Sequence, residues 1–114
     1  ASAQTDIPGR IAFGPYDDSY KKGFYRAKFR LKVDKNLDEK KVALIDVYSN
    51  TKDFKPVHRI ISPKQFYRPN VFQDFEIDFY KPNDSGHIEF RVYFYGVGDL
   101  YFDRVDVFRL TKSL

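Results

Sequence analysis

Apolar and polar side chains alternate with a period of two along most of this chain. From Phe24 to Val33, the residues Tyr25, Ala27, Phe29, Leu31 and Val33 share one phase and Arg26, Lys28, Arg30 and Lys32 the other. From Val71 to Tyr80, the set Val71, Gln73, Phe75, Ile77 and Phe79 alternates with Asp74, Glu76 and Asp78. From His87 to Tyr95, Ile88, Phe90, Val92 and Phe94 alternate with Glu89, Arg91, Tyr93 and Tyr95. Successive side chains of a strand point to opposite sides, so each segment predicts a strand with one face on a core. Val42 to Ser49 is apolar in both phases apart from Asp46, the pattern of a strand inside a sheet. Leu100 to Leu110 sets Tyr101, Asp103, Val105 and Val107 against Phe102, Arg104, Asp106 and Phe108. Arg10 to Phe13 and Val57 to Ile61 are short strands, and no segment has a helical period.

The punctuation agrees with strands. Pro8-Gly9, Gly14-Pro15, Pro63, Pro69-Asn70 and the stretch Pro82 to Gly86 carry turn chemistry, and Asn36 to Lys41 reads as a charged loop. The stretch Pro82 to Gly86 joins two strongly alternating segments, which predicts an antiparallel hairpin over residues 71–95. Gly96-Val97-Gly98 reads as a tight turn between the last two long strands. About seven to nine short strands at this spacing predict an all-β fold, an antiparallel β-sandwich or jelly roll. The basic phase of residues 24–33 and the acidic phase of 71–80 are complementary, and cross-strand opposite charges stabilise a sheet. These two strands are therefore expected side by side and antiparallel in one sheet.

At 114 residues the chain has the length of one domain, 1–114, with a core of its own. Its apolar content is aromatic in kind, with 12 Phe and 9 Tyr but no Trp, Met or Cys. The lack of cysteine removes disulfides, thiolate metal sites and a cysteine nucleophile. No apolar run approaches the roughly 20 residues that cross a bilayer, and no basic-then-apolar leader precedes the strands. Opening on Ala1-Ser2-Ala3-Gln4, the chain reads as a domain excised from a larger protein. The net charge of +4 comes from 20 basic and 16 acidic residues that interleave, so a nucleic-acid surface is not expected.

Catalytic chemistry is poorly represented. Asp74, Glu76 and Asp78 lie at a spacing that could seat two glycosidase carboxylates, roughly 6.5–7 Å between alternate strand residues. A general acid, however, needs burial, and this row is expected on the solvent face opposite basic residues. His58 and His87 have no partner pattern for a metal, and no nucleophile or phosphate-loop motif is present. Asp17, Asp18, Asp99, Asp103 and Asp106 could supply oxygen ligands to a structural Ca2+ ion, with Asp17, Asp18 and Asp103 the expected set. The remaining candidates are Tyr16, Tyr48, Tyr93 and Tyr95, with Asp46, Arg59 and Arg91 nearby in the pattern. Aromatic rings pair with the C–H faces of sugars, and Arg and Asp match vicinal hydroxyls. The competing reading makes Tyr93 and Tyr95 buried core residues.

The stretch from Ile11 to Tyr16, followed by Gly23 to Leu31, resembles the opening of carbohydrate-binding-module-like domains of the galactose-binding-like jelly-roll class. Residues 72–79, 88–92 and 100–107 look like its remaining core strands. The resemblance spans nearly the whole chain, although the usual tryptophan platform is missing. It implies a jelly roll, often with bound calcium and often appended to extracellular glycoside hydrolases or to extracytoplasmic parts of glycosyltransferases. The expectation is therefore a non-enzymatic sugar-binding module that meets a membrane only through a host protein. The alternative is a structural or interaction domain of a cell-surface or membrane-associated protein, its exposed aromatics set against neighbouring domains of the same polypeptide.

Overall fold

The alternating phases become the two inner faces of a sandwich. The computed structural model describes residues 9–17, 20–35, 42–95 and 100–110, the first of these through backbone pairing alone. Seven strands follow in order: β1 (Gly9–Asp17), β2 (Gly23–Val33), β3 (Ala43–Ser49), β4 (Val57–Ile61), β5 (Gln73–Lys81), β6 (Ile88–Phe94) and β7 (Leu100–Arg109). One sheet has the order β1-β6-β3-β4 and the other β5-β2-β7. Every pairing is antiparallel. Among the described residues the one helical element is a short 3-10 turn at Pro63–Gln65. The fold is the expected all-β sandwich.

Ala27, Phe29, Leu31 and Val33 of β2 and Phe75, Ile77 and Phe79 of β5 are buried against Ile45 and Val47 of β3 and Ile88, Phe90, Val92 and Phe94 of β6. Phe90 meets Phe29 and Phe79 edge-on across the gap, with ring centroids 6.4 and 6.0 Å apart. Each fully buried phenylalanine contributes about 1.5–3 kcal/mol. β3 is internal to its sheet, as its two apolar phases predicted. The charge ladder is also present: Arg26 stands opposite Asp78, Lys28 opposite Glu76 and Arg30 opposite Asp74.

Four expectations need correction. First, β5 and β6 do not form a hairpin, because they belong to different sheets. Each has one apolar face, and residues 82–86 carry the chain over the end of the core so that the two faces meet. Secondly, the final pair β6 and β7 also lies in different sheets, so no hairpin turn joins them; residues 96–98 lie outside the described residues. Thirdly, β1 continues through Gly14-Pro15 to Asp17 instead of turning there. Phe13 pairs with Phe90 and Asp17 with Ile88, so the strand absorbs extra residues as an irregularity in its ladder. Fourthly, Val71 precedes β5 and is 50% exposed rather than part of the core. The loop 36–41 lies outside the described residues.

The phase assigned to β7 is interrupted by a bulge. Leu31 pairs with Phe102 and Arg30 with Arg104, which leaves Asp103 without a register partner on β2. The extra residue reverses the alternation. Leu100 and Phe102 are buried before it, and Val105 and Val107 pack on the core after it.

The crossover from β5 to β6 is tied down by polar contacts. Lys81 continues the inward phase of β5 and is fully buried, and its Nζ donates to the carbonyls of Asn83 and Ser85. Burial pushes this ammonium below its ordinary pKa, with Asp84 opposing the shift. Thr51 Oγ1 also donates to the Ser85 carbonyl, at 2.7 Å, and Ser49 Oγ donates to the His87 carbonyl at 2.6 Å. Gly86 has φ +84°, and a Cβ there would press on Thr51 Oγ1 and lie 2.8 Å from Asn50 Oδ1. The corner therefore requires glycine on both conformational and steric grounds.

Candidate functional site

The outer face of the four-stranded sheet gathers most of the residues singled out as ligand-binding. Asp46 on β3 stands directly opposite Arg91 on β6, and Tyr48 and Tyr93 share this outer phase. The two charged side chains meet head to head. Arg91 Nε and Nη2 donate to Asp46 Oδ1 and Oδ2 at 2.8 and 2.9 Å, the bidentate geometry that suits a guanidinium and a carboxylate. Their side chains are 16% and 11% exposed, so this pair is sheltered although it lies outside the core. The Asp46 hydrogen bonds raise the Arg91 pKa further above its ordinary value, against the opposing effect of desolvation. The Arg91 guanidinium lies 4.8 Å from the centroid of the Tyr48 ring.

Tyr93 and Tyr95 complete the row. Their rings meet edge to face at 5.2 Å, and both are half-buried, so the reading of them as core residues does not hold. The core position between them belongs to Phe94. Tyr16 falls in β1, and its side chain lies outside the described residues.

Arg59 does not join this group, which corrects its placement. It pairs in register with Ile45 and so takes the inward phase of β4. Because β4 is an edge strand, the long side chain runs out beside the other sheet. There Nη1 donates to the Glu76 carbonyl at 3.2 Å, and the guanidinium lies 5.3 Å from the Phe75 ring centroid. Arg59 thus ties the edges of the two sheets together.

The carboxylates proposed for calcium are not assembled among the described residues, where no group of three or more His, Cys, Asp or Glu side chains could hold a metal. Asp103 sits between two guanidiniums, its Oδ2 3.3 Å from Arg30 Nε and 2.9 Å from Arg104 Nη1. Asp106 is likewise held by Arg104 at 2.9 Å. The Asp17 side chain, Asp18 and Asp99 lie outside the described residues. The row Asp74, Glu76 and Asp78 is engaged by Arg30, Lys28 and Arg26, the last through two bonds to Asp78 of 2.8 and 3.0 Å.

A second feature, a cavity, was missed in the sequence. A cavity of about 420 Å³ opens where the β5 edge of one sheet approaches the β3–β4 loop of the other. Phe24, Val57, Phe79, Tyr80 and Pro82 give it apolar walls, and Asp53, Lys55 and Asp78 stand around them. The signal was available, because Phe24 and Tyr80 are aromatic residues in the otherwise charged phases of β2 and β5. They pair in register, with ring centroids 4.6 Å apart.

No family model and no curated protein matches this chain. Among solved structures it is similar to the carbohydrate-binding module TmCBM61, determined in complex with β-1,4-galactotriose. The two share 15% sequence identity and superpose with a TM-score of 0.53, over 96% of this chain and 69% of the other. At that identity the likeness shows the fold alone: a β-sandwich that this chain shares with TmCBM61.

Proposed function

We propose that this domain is a non-catalytic carbohydrate-binding module that takes sugar on the outer face of its four-stranded sheet. The observation that carries the reading is the grouping of Tyr48, the Asp46–Arg91 pair and Tyr93 on that face of a sandwich built like a sugar-binding one. Arg91 spends two of its five N–H donors on Asp46, which leaves three for hydroxyl groups. Each Asp46 oxygen keeps a lone pair for a further hydroxyl. The pair is held in advance of binding, so little side-chain ordering is required when a ligand arrives. Tyr48 and Tyr93 supply ring surface for the C–H face of a pyranose.

The engagement of Asp74, Glu76 and Asp78 by basic residues supports a binding role over hydrolysis. Extracytoplasmic display on a host protein and a bound Ca2+ ion belong to the same proposal. A glycan array probed with the domain, with calcium and with a chelator, tests it. Binding to a defined set of neutral oligosaccharides is expected, and an array blank under both conditions would overturn the reading.

A further inference from the structure

We propose that the cavity between the β5 edge and the β3–β4 loop is a second, separate binding site for a neutral sugar. It takes only its ligand class from the carbohydrate reading; its position and its residues are independent of the Asp46–Arg91 face. Its volume of about 420 Å³ falls within the roughly 300–1,000 Å³ of small-ligand sites. Tyr80 is 40% exposed and tilts at 40° against Phe24, so the two rings form an apolar wall that the sheet leaves uncovered. Val57, Phe79 and Pro82 continue that wall.

The charges select among ligands. Asp53 and Asp78 are acidic and Lys55 is basic, and Asp78 is already neutralised by the bidentate grip of Arg26. The lining holds two acids and one base, and with Asp78 paired to Arg26, which stands outside the lining, Asp53 and Lys55 balance, so the rim favours neither an anion nor a cation. What it offers is acceptors on two carboxylates and donors on Lys55, beside aromatic surface. A neutral ring with one apolar face and several hydroxyls matches both features. Asp53 sits in a left-handed backbone conformation, φ 65°, in the loop that frames the opening. Aspartate tolerates that conformation better than most residues, and it fixes the path of the loop beside β5.

Chemical-shift mapping of the isotopically labelled domain with β-1,4-galactotriose, cellotriose and mannotriose tests the proposal, repeated on Tyr80→Ala, Lys55→Ala and Tyr48→Ala. Tyr80 is exposed, so its truncation leaves the core intact. The expected result is saturable shifts at Phe24, Asp53, Lys55 and Tyr80, weakened at least tenfold by Tyr80→Ala and Lys55→Ala and retained in Tyr48→Ala. Shifts confined to the Tyr48, Arg91 and Tyr93 face would overturn the second site and leave the first standing. Shifts confined to the cavity would support the second site and remove the first. No shift with any of the three sugars would overturn both.

Discussion

Arg91 grips Asp46 through two parallel hydrogen bonds of 2.8 and 2.9 Å, on the outer face of a sheet and yet largely sheltered from solvent. A carboxylate in such a place depends on its partner. Arg91→Ala leaves Asp46 as an uncompensated charge and is expected to cost about 3 kcal/mol of stability. The double variant Asp46→Ala/Arg91→Ala should lose less than the two single losses added together. Urea denaturation of the four proteins measures the coupling, and simple additivity would contradict it.

The ladder between β2 and β5 behaves differently. Arg26 and Asp78 meet with similar geometry, but their side chains are 35% and 27% exposed. Asp78→Asn is expected to cost only about 0.5–1 kcal/mol. Salt should erase most of that difference, since exposed pairs are screened. Denaturation at low and high ionic strength checks this; a larger loss that salt leaves unchanged would show that the ladder is not acting as a surface feature.

The bulge at Asp103 makes an unusual deletion tolerable. Removing Asp103 leaves the pairs Leu31–Phe102 and Arg30–Arg104 in register and keeps Val105 and Val107 turned to the core. Removing Asp106 instead reverses the phase of Val107 and everything after it. The Asp103 deletion should stay folded with a urea midpoint near that of the parent protein, and the Asp106 deletion should not. Equal damage from both would contradict the bulge.

Asp84 gives the fold an acid-sensitive contact. The backbone N–H of Lys22 donates to Asp84 Oδ1 at 2.7 Å, and this bond chiefly holds the carboxyl below its ordinary value of 3.8; Lys21, Lys81 and Arg109 add to the effect. Because the folded-state pKa lies below the unfolded one, the contribution is complete above about pH 4 and is lost as pH falls through the folded value. The parent protein should exceed Asp84→Asn in thermal stability at neutral pH, and the gap should close in acid. A gap that is constant with pH would exclude this linkage.

What could be read from the chain follows from burial. β2, β5 and β6 were legible because each has one wet face, so Arg26, Lys28 and Arg30 mark the phase that Phe29 and Leu31 avoid. The partnership of β2 and β5 was legible from opposite charge alone. Residues 82–86 signalled a reversal, but turn chemistry does not say whether the next strand joins the same sheet or the facing one. Tyr101, Phe102, Val105 and Phe108 place apolar side chains in both phases of β7, which hid the bulge at Asp103. At the site, Asp46 stood out as the lone charge in an apolar strand, and Arg91 fell in the matching phase of β6. Arg59 was misplaced because Ile60 and Ile61 put apolar side chains in both phases of the short β4, which hid that Arg59 shares the phase of Ile45 and not of Asp46. The cavity was overlooked because Phe24 and Tyr80 broke a charged phase without breaking the alternation of the core.

Titration calorimetry of the intact domain with neutral oligosaccharides, run beside Tyr48→Ala and Tyr93→Ala, tests the central claim most directly. The account predicts saturable heat with at least one oligosaccharide, and affinity at least tenfold weaker in each variant at the outer face of the four-stranded sheet. Unchanged affinity in both variants, or no heat from any sugar, would contradict it.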